Sequence, residues 1–133
     1  MKSAKLEFCG NSLEFIEFDH SLEDEKLGNP YNCSFGVKVV SGDFAGATHG
    51  LEIDHDQIKY LISRLQDLID FKRDEVLFAD FDNELELSFR GDGIGHISVS
   101  GVINANSGSQ RLEFEFITDQ TIYASFISEL QNL

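Results

Sequence analysis

Between Asp54 and Arg73 the chain carries Ile58, Leu61, Ile62, Leu65, Leu68 and Ile69 at steps of three and four residues, which lines one stripe of a helix. Asp54 stands where an N-cap is needed and Gln57 follows three residues later, the spacing of a capping box. Lys72 and Arg73 fall in the predicted last turn, where positive charge suits the helix dipole. Such a helix runs roughly 27 Å at 1.5 Å per residue, about the width of a small domain. An apolar stripe of that length must be covered, and the sequence on both sides of it reads as β-strand.

Ahead of the helix, Ala4 to Cys9 and Ser12 to Phe18 are predicted strands joined at Gly10-Asn11. Leu13 and Phe15 share one face while Ile16 and Phe18 share the other, a phase change that predicts a bulge or a strand covered on both sides. The irregular stretch Asp19 to Asn32 holds a short helical turn over Leu22 to Leu27 and the breakers Gly28-Asn29-Pro30. Tyr31, Cys33, Phe35, Val37 and Val39 then alternate as a half-buried strand. Ser41-Gly42-Asp43 turns it into Phe44 to Ile53, whose glycines predict a bend or a close backbone approach.

After the helix come predicted strands Val76 to Phe81, Leu85 to Phe89, His96 to Ile103 and Arg111 to Ile117. Gly91-Asp92-Gly93 and Asn106-Ser107-Gly108 supply turns between the later ones. Asp119 is placed to cap a last helix bearing Ile122, Phe126, Ile127, Leu130 and Leu133. The expected fold is α+β, a single domain over residues 1–133. It has a largely antiparallel, twisted, meander-like sheet of about eight strands, with one long central helix and a C-terminal helix packed on one face.

Charge narrows the class of partner. Twenty-four acids against ten bases give a formal net charge of −14, which repels nucleic acid and anionic membrane and attracts basic surfaces. Cys9 and Cys33 match no metal spacing and are expected as buried reduced thiols. No segment has signal-peptide or membrane-spanning character, so a cytoplasmic monomer is expected.

No catalytic or cofactor pattern emerges. His49 and His55 flank Glu52, Asp54 and Asp56, but at no zinc spacing, and acids ahead of a helix are expected as caps; no metal is predicted. His20 and His96 show no evident partner. Gly91-Asp92-Gly93-Ile94-Gly95 has the wrong spacing for a phosphate loop, and a strand follows where a helix is needed. Ser98 and Ser100 lie in no nucleophile motif, so no enzyme and no cofactor are expected.

What remains is the distribution of acid. One run gathers Glu23, Asp24 and Glu25; a second alternates Asp80, Asp82, Glu84 and Glu86 with Phe81, Leu85 and Leu87. In extended chain the second set falls on one face, a row of like charges that costs a sheet stability unless it serves a partner. These seven acids are the candidate partner-binding residues.

The order of signals resembles small bacterial immunity proteins of the WapI type. The residues carrying it are Phe35-Gly36-Val37-Lys38-Val39-Val40, Leu51-Glu52-Ile53 leading into Leu61-Ile62-Ser63-Arg64-Leu65, Asp82-Asn83-Glu84-Leu85-Glu86-Leu87 and Leu112-Glu113-Phe114-Glu115-Phe116. The resemblance implies an inhibitor that occludes a cognate toxin domain, often a nuclease with a basic cleft. A non-catalytic adaptor for another basic protein, or a small-molecule or sugar-binding module, are the rival readings.

Overall fold

The computed structural model describes residues 2–105 and 108–133. In chain order these form β1 (Lys2–Phe8), β2 (Asn11–His20), α1 (Leu22–Lys26), β3 (Cys33–Ser41), β4 (Phe44–Ile53), α2 (His55–Ile69), β5 (Glu75–Ala79), β6 (Leu85–Gly91), β7 (His96–Ala105), β8 (Gln110–Asp119) and α3 (Tyr123–Gln131). The α+β class holds, but the single sheet does not. The strands make two four-stranded antiparallel meanders, β1-β2-β3-β4 and β5-β6-β7-β8. Each strand pairs with its successor within a sheet, through short turns except at β2–β3, where residues 21–32 with α1 intervene; α2 stands between β4 and β5, which do not pair.

Helix α2 begins as expected. The Asp54 side chain accepts from the Asp56 N–H at 2.9 Å, and the Asp54 N–H donates to Gln57 Oε1 at 2.9 Å, closing the capping box. It ends earlier, after 15 residues, roughly 22 Å, and packs against β5 and α3 instead of forming a long central helix. Phe71 takes a positive φ of 59°, and the Lys72 N–H returns to Asp67 O at 2.8 Å. That is a Schellman stop, with phenylalanine where glycine is usual. Lys72 and Arg73 therefore lie beyond the helix and not in its last turn.

One apolar cluster joins both sheets with α2 and α3. Phe15 of β2 sits at its centre, with its ring 5.4 Å from Phe35 on β3, 5.7 Å from Phe78 on β5 and 6.2 Å from Phe126 on α3. The phase change in β2 is a bulge: Glu17 has φ 55°, and pairing with β3 shifts between Ile16 and Asp19. Phe15 and Phe18 thereby both turn inward. The predicted close approach in β4 occurs at Gly46, where a Cβ would lie 2.6 Å from Leu112 Cδ2 of β8.

The first hairpin turns at Cys9-Gly10, one residue ahead of the expected pair, with both residues at positive φ as a tight hairpin turn requires. This leaves Cys9 exposed; Cys33 alone is buried, and both are free. Burial first, then the charges of Glu25, Asp54 and Asp19, push the Cys33 thiol up to about 12, so it stays protonated. Asp119 caps a single 3-10 turn, Gln120–Ile122, that leads into α3. The expected turn at Asn106-Ser107-Gly108 falls partly outside the described residues. No helix among the described residues is long and apolar enough to cross a membrane.

Candidate partner-binding surface

The outer face of the second sheet carries an open groove of about 620 Å³. Pairing explains it. Leu77, Ser88, Ser100 and Glu115 stand opposite one another across β5 to β8, so the two central strands contribute only serines to this row. Small side chains there leave a trough. The next row is Ala79, Glu86, Val102 and Glu113, which sets acids on both sides of Val102. Strands lie about 4.8 Å apart, so Glu86 and Glu113 project roughly 10 Å from each other. That is near the Debye length of about 8 Å at physiological ionic strength, and their repulsion is largely screened.

The basic residues on this face are already engaged. Arg90 binds Glu75 at 2.7 Å and Arg111 binds Glu113 at 2.7 Å. Neither Glu86 nor Glu115 forms an ion pair among the described residues. The groove floor beneath them is held tight by Gly101, where a Cβ would come within 2.5 Å of the Glu86 carbonyl oxygen and 2.8 Å of the Phe114 ring.

The expected row of four acids is not a strand face. Asp80 is 4% exposed and turned inward: its carboxylate accepts from the Leu85 N–H at 3.0 Å and from the Asp82 N–H at 3.3 Å. With Asn83 at φ 54° it builds the β5–β6 turn, and β5 stops at Ala79. Asp82 and Glu84 occupy that turn, and only Glu86 reaches the sheet face. Glu23, Asp24 and Glu25 lie on α1, whose N-cap Ser21 accepts from the Asp24 N–H at 3.2 Å. Tyr31, just beyond α1, meets Phe81 edge to face at 4.8 Å, so the two acid runs sit at the same end of the molecule. Both rings are well exposed.

That end also holds two histidines. His20 Nε2 contacts Glu25 Oε2, and the His20 ring stacks on His55 at 3.9 Å and 15°. His20 thus has the partners that its sequence context did not reveal. Burial first, then the His20 charge, lowers the pKa of His55 and favours its neutral imidazole. His96 is also partnered: its Nδ1 meets Asp92 at 2.8 Å. The Asp92 carboxylate accepts from the Ile94 and His96 N–H groups as well, which, with the Ile94 bond foremost, holds its pKa below the usual range. The glycine-rich stretch is therefore the β6–β7 turn.

The profile of the immunity protein WapI-like family matches residues 7–133. The chain belongs to that family. No curated protein and no solved structure matches it. For a WapI-like immunity protein the partner implied is a toxin protein, which turns attention to broad, open, charged surfaces. Glu113 and Glu115 are the residues of this surface that the sequence reading quoted only as part of a family pattern. The signal was present, since they alternate with Phe114 and Phe116 as inward and outward positions of one strand.

Proposed function

We propose that this protein neutralises a toxin by binding a basic face of it, of the kind a nuclease cleft presents, through the acidic outer face of β5 to β8. Glu86, Glu113 and Glu115 form the centre of the contact. Asp82 and Glu84 extend it along the β5–β6 turn, and Glu23, Asp24 and Glu25 of α1 lie at its rim. Asp80 is left to the turn it holds. The observation that carries the reading is the groove itself: a trough over serines, bordered by Glu86, Glu113 and Glu115, of which Glu86 and Glu115 have no ion-pair partner among the described residues, on a chain of net charge −14. A sugar-binding reading has less behind it, because among the described residues Phe114 is the sole aromatic residue lining the trough, and its side chain is buried.

The test is co-expression with the product of the neighbouring gene as the candidate toxin. A stoichiometric complex and restored growth are expected, with protection reduced when Glu86, Glu113 and Glu115 are replaced by Gln. A neighbouring product that neither binds nor is neutralised would overturn the reading.

A further inference from the structure

Beyond partner binding, the stacked histidines ask for an explanation of their own. An ion pair between His20 and Glu25 accounts for two of the three side chains in the cluster. It leaves His55, whose ring lies face to face on His20 while its ring nitrogens find no hydrogen-bond partner among the described residues. One donor atom each from His20, Glu25 and His55 lies within 4.8 Å of the other two. We propose that these three side chains form a binding site for a divalent transition-metal ion, with Zn²⁺ the best match.

The donor set is the first argument. Two imidazole nitrogens and one carboxylate oxygen suit zinc, whereas Ca²⁺ and Mg²⁺ take oxygen. Distance is the second. Ligands at about 2.0–2.2 Å from a tetrahedral zinc stand roughly 3.3–3.6 Å apart, a spacing that donor atoms within 4.8 Å of one another approach.

The scaffold is the third argument, because it fixes all three residues before any ion arrives. His20 pairs with Cys33 in the β2–β3 ladder. Ser21, next to it, donates its N–H to Asn32 O at 2.8 Å and caps the helix that carries Glu25. The buried Asn32 side chain accepts the His55 N–H at 2.8 Å, tying the start of α2 to the same loop. Its own amide donates to Asn29 O at 3.0 Å. Three elements therefore converge on one point through hydrogen bonds that need no metal. Side-chain exposures of 19% for His20 and 40% for Glu25 leave a route to solvent and room for a fourth ligand, water or another side chain. An ion there would clasp α1 to β2 and to the first turn of α2.

The experiment uses the full chain, stripped with chelator and then titrated calorimetrically with Zn²⁺, with Mg²⁺ as a comparison. One Zn²⁺ per chain is expected, together with a raised thermal midpoint, and no Mg²⁺ heat. Glu25→Gln and His55→Ala should each weaken Zn²⁺ at least by the roughly 10- to 100-fold that loss of an outer-shell partner costs. They should also abolish the Zn²⁺-dependent rise in midpoint, while His49→Ala binds as wild type. Glu25→Gln serves where His55→Ala disturbs the fold, since it keeps a hydrogen-bonding group against His20. Absence of stoichiometric Zn²⁺ binding, or binding that survives both substitutions, overturns the site. Neither outcome bears on the toxin reading, which is scored by complex formation.

Discussion

The two sheets share one topology and one core yet treat their outer faces differently. On the first, Lys5, Glu14, Lys38 and Ala47 stand opposite one another across β1 to β4, so charges alternate in sign, and Lys5 also reaches Glu7 at 2.9 Å. On the second, the matching central rows hold Ala79, Glu86, Val102, Glu113 and Leu77, Ser88, Ser100, Glu115. Directly opposed unlike charges add roughly 0.2–1 kcal/mol per pair to a sheet. The fold can thus neutralise an exposed face within itself; on the second sheet Arg90 and Arg111 pair with Glu75 and Glu113, but Glu86 and Glu115 have no ion-pair partner among the described residues. Under the proposed function, Glu86 and Glu115 on the other side are kept for the partner and not for holding the sheet together.

This contrast depends on the two sheets being one cooperative body, and the largest effect tests that. Phe15→Ala removes a ring that touches Phe35, Phe78 and Phe126, one neighbour from each sheet and one from α3. A loss of about 3–5 kcal/mol is expected, a large fraction of a domain's stability of about 5–15. Denaturant unfolding followed at several probes should show one coincident transition; separate transitions for the two halves would divide the core.

Next in size is Asp80→Ala. It strips the acceptor from the Leu85 and Asp82 N–H groups of the β5–β6 turn, and the loss should be about 1–3 kcal/mol. Partner affinity measured at a temperature where the variant is folded should be unchanged. A large affinity loss there would return Asp80 to the binding surface.

The smallest effect separates the faces themselves. Glu86→Gln and Glu115→Gln, on the unmatched face, should leave the melting temperature unchanged or slightly raised, within about 0.5 kcal/mol. Lys38→Gln, which breaks the alternating row of the first sheet, should lower it by a comparable amount. Equal destabilisation by both sets would mean that the acids of the second sheet are structural after all.

Much of this arrangement is written locally in the chain. The capping box at Asp54 and Gln57 and the bulge after Phe15 are set by neighbours a few residues apart and appear where the pattern puts them; the alternation expected from Tyr31 to Val39 holds from Cys33 on, while Tyr31 lies exposed ahead of β3 and Gly36 is buried with the inward residues. The failures have physical causes of the opposite kind. Phe71 stops α2 in a left-handed conformation that no glycine announces. Asp80, Asp82, Glu84 and Glu86 alternate like a strand, but Asp80 is worth more to the fold as a buried turn acceptor than as one of a row of like charges. His20 and His55 meet only because the β2–β3 ladder and Asn32 bring distant segments together, so no sequence spacing could signal them. Where one sheet ends and the next begins is likewise a matter of how α2 packs, not of any turn.

The central claim, that the acidic outer face of the second sheet receives a basic toxin domain, is tested most directly by association kinetics of the Glu86→Gln, Glu113→Gln, Glu115→Gln variant at low and high salt. Complementary charge accelerates encounter by roughly 10- to 1,000-fold at low salt. The variant should therefore associate at least about tenfold more slowly than wild type at low salt, with the gap narrowing as salt rises, while its fold and melting temperature stay intact. If on-rate, affinity and salt dependence all match wild type, the toxin docks elsewhere and the acidic groove is only a solvated face.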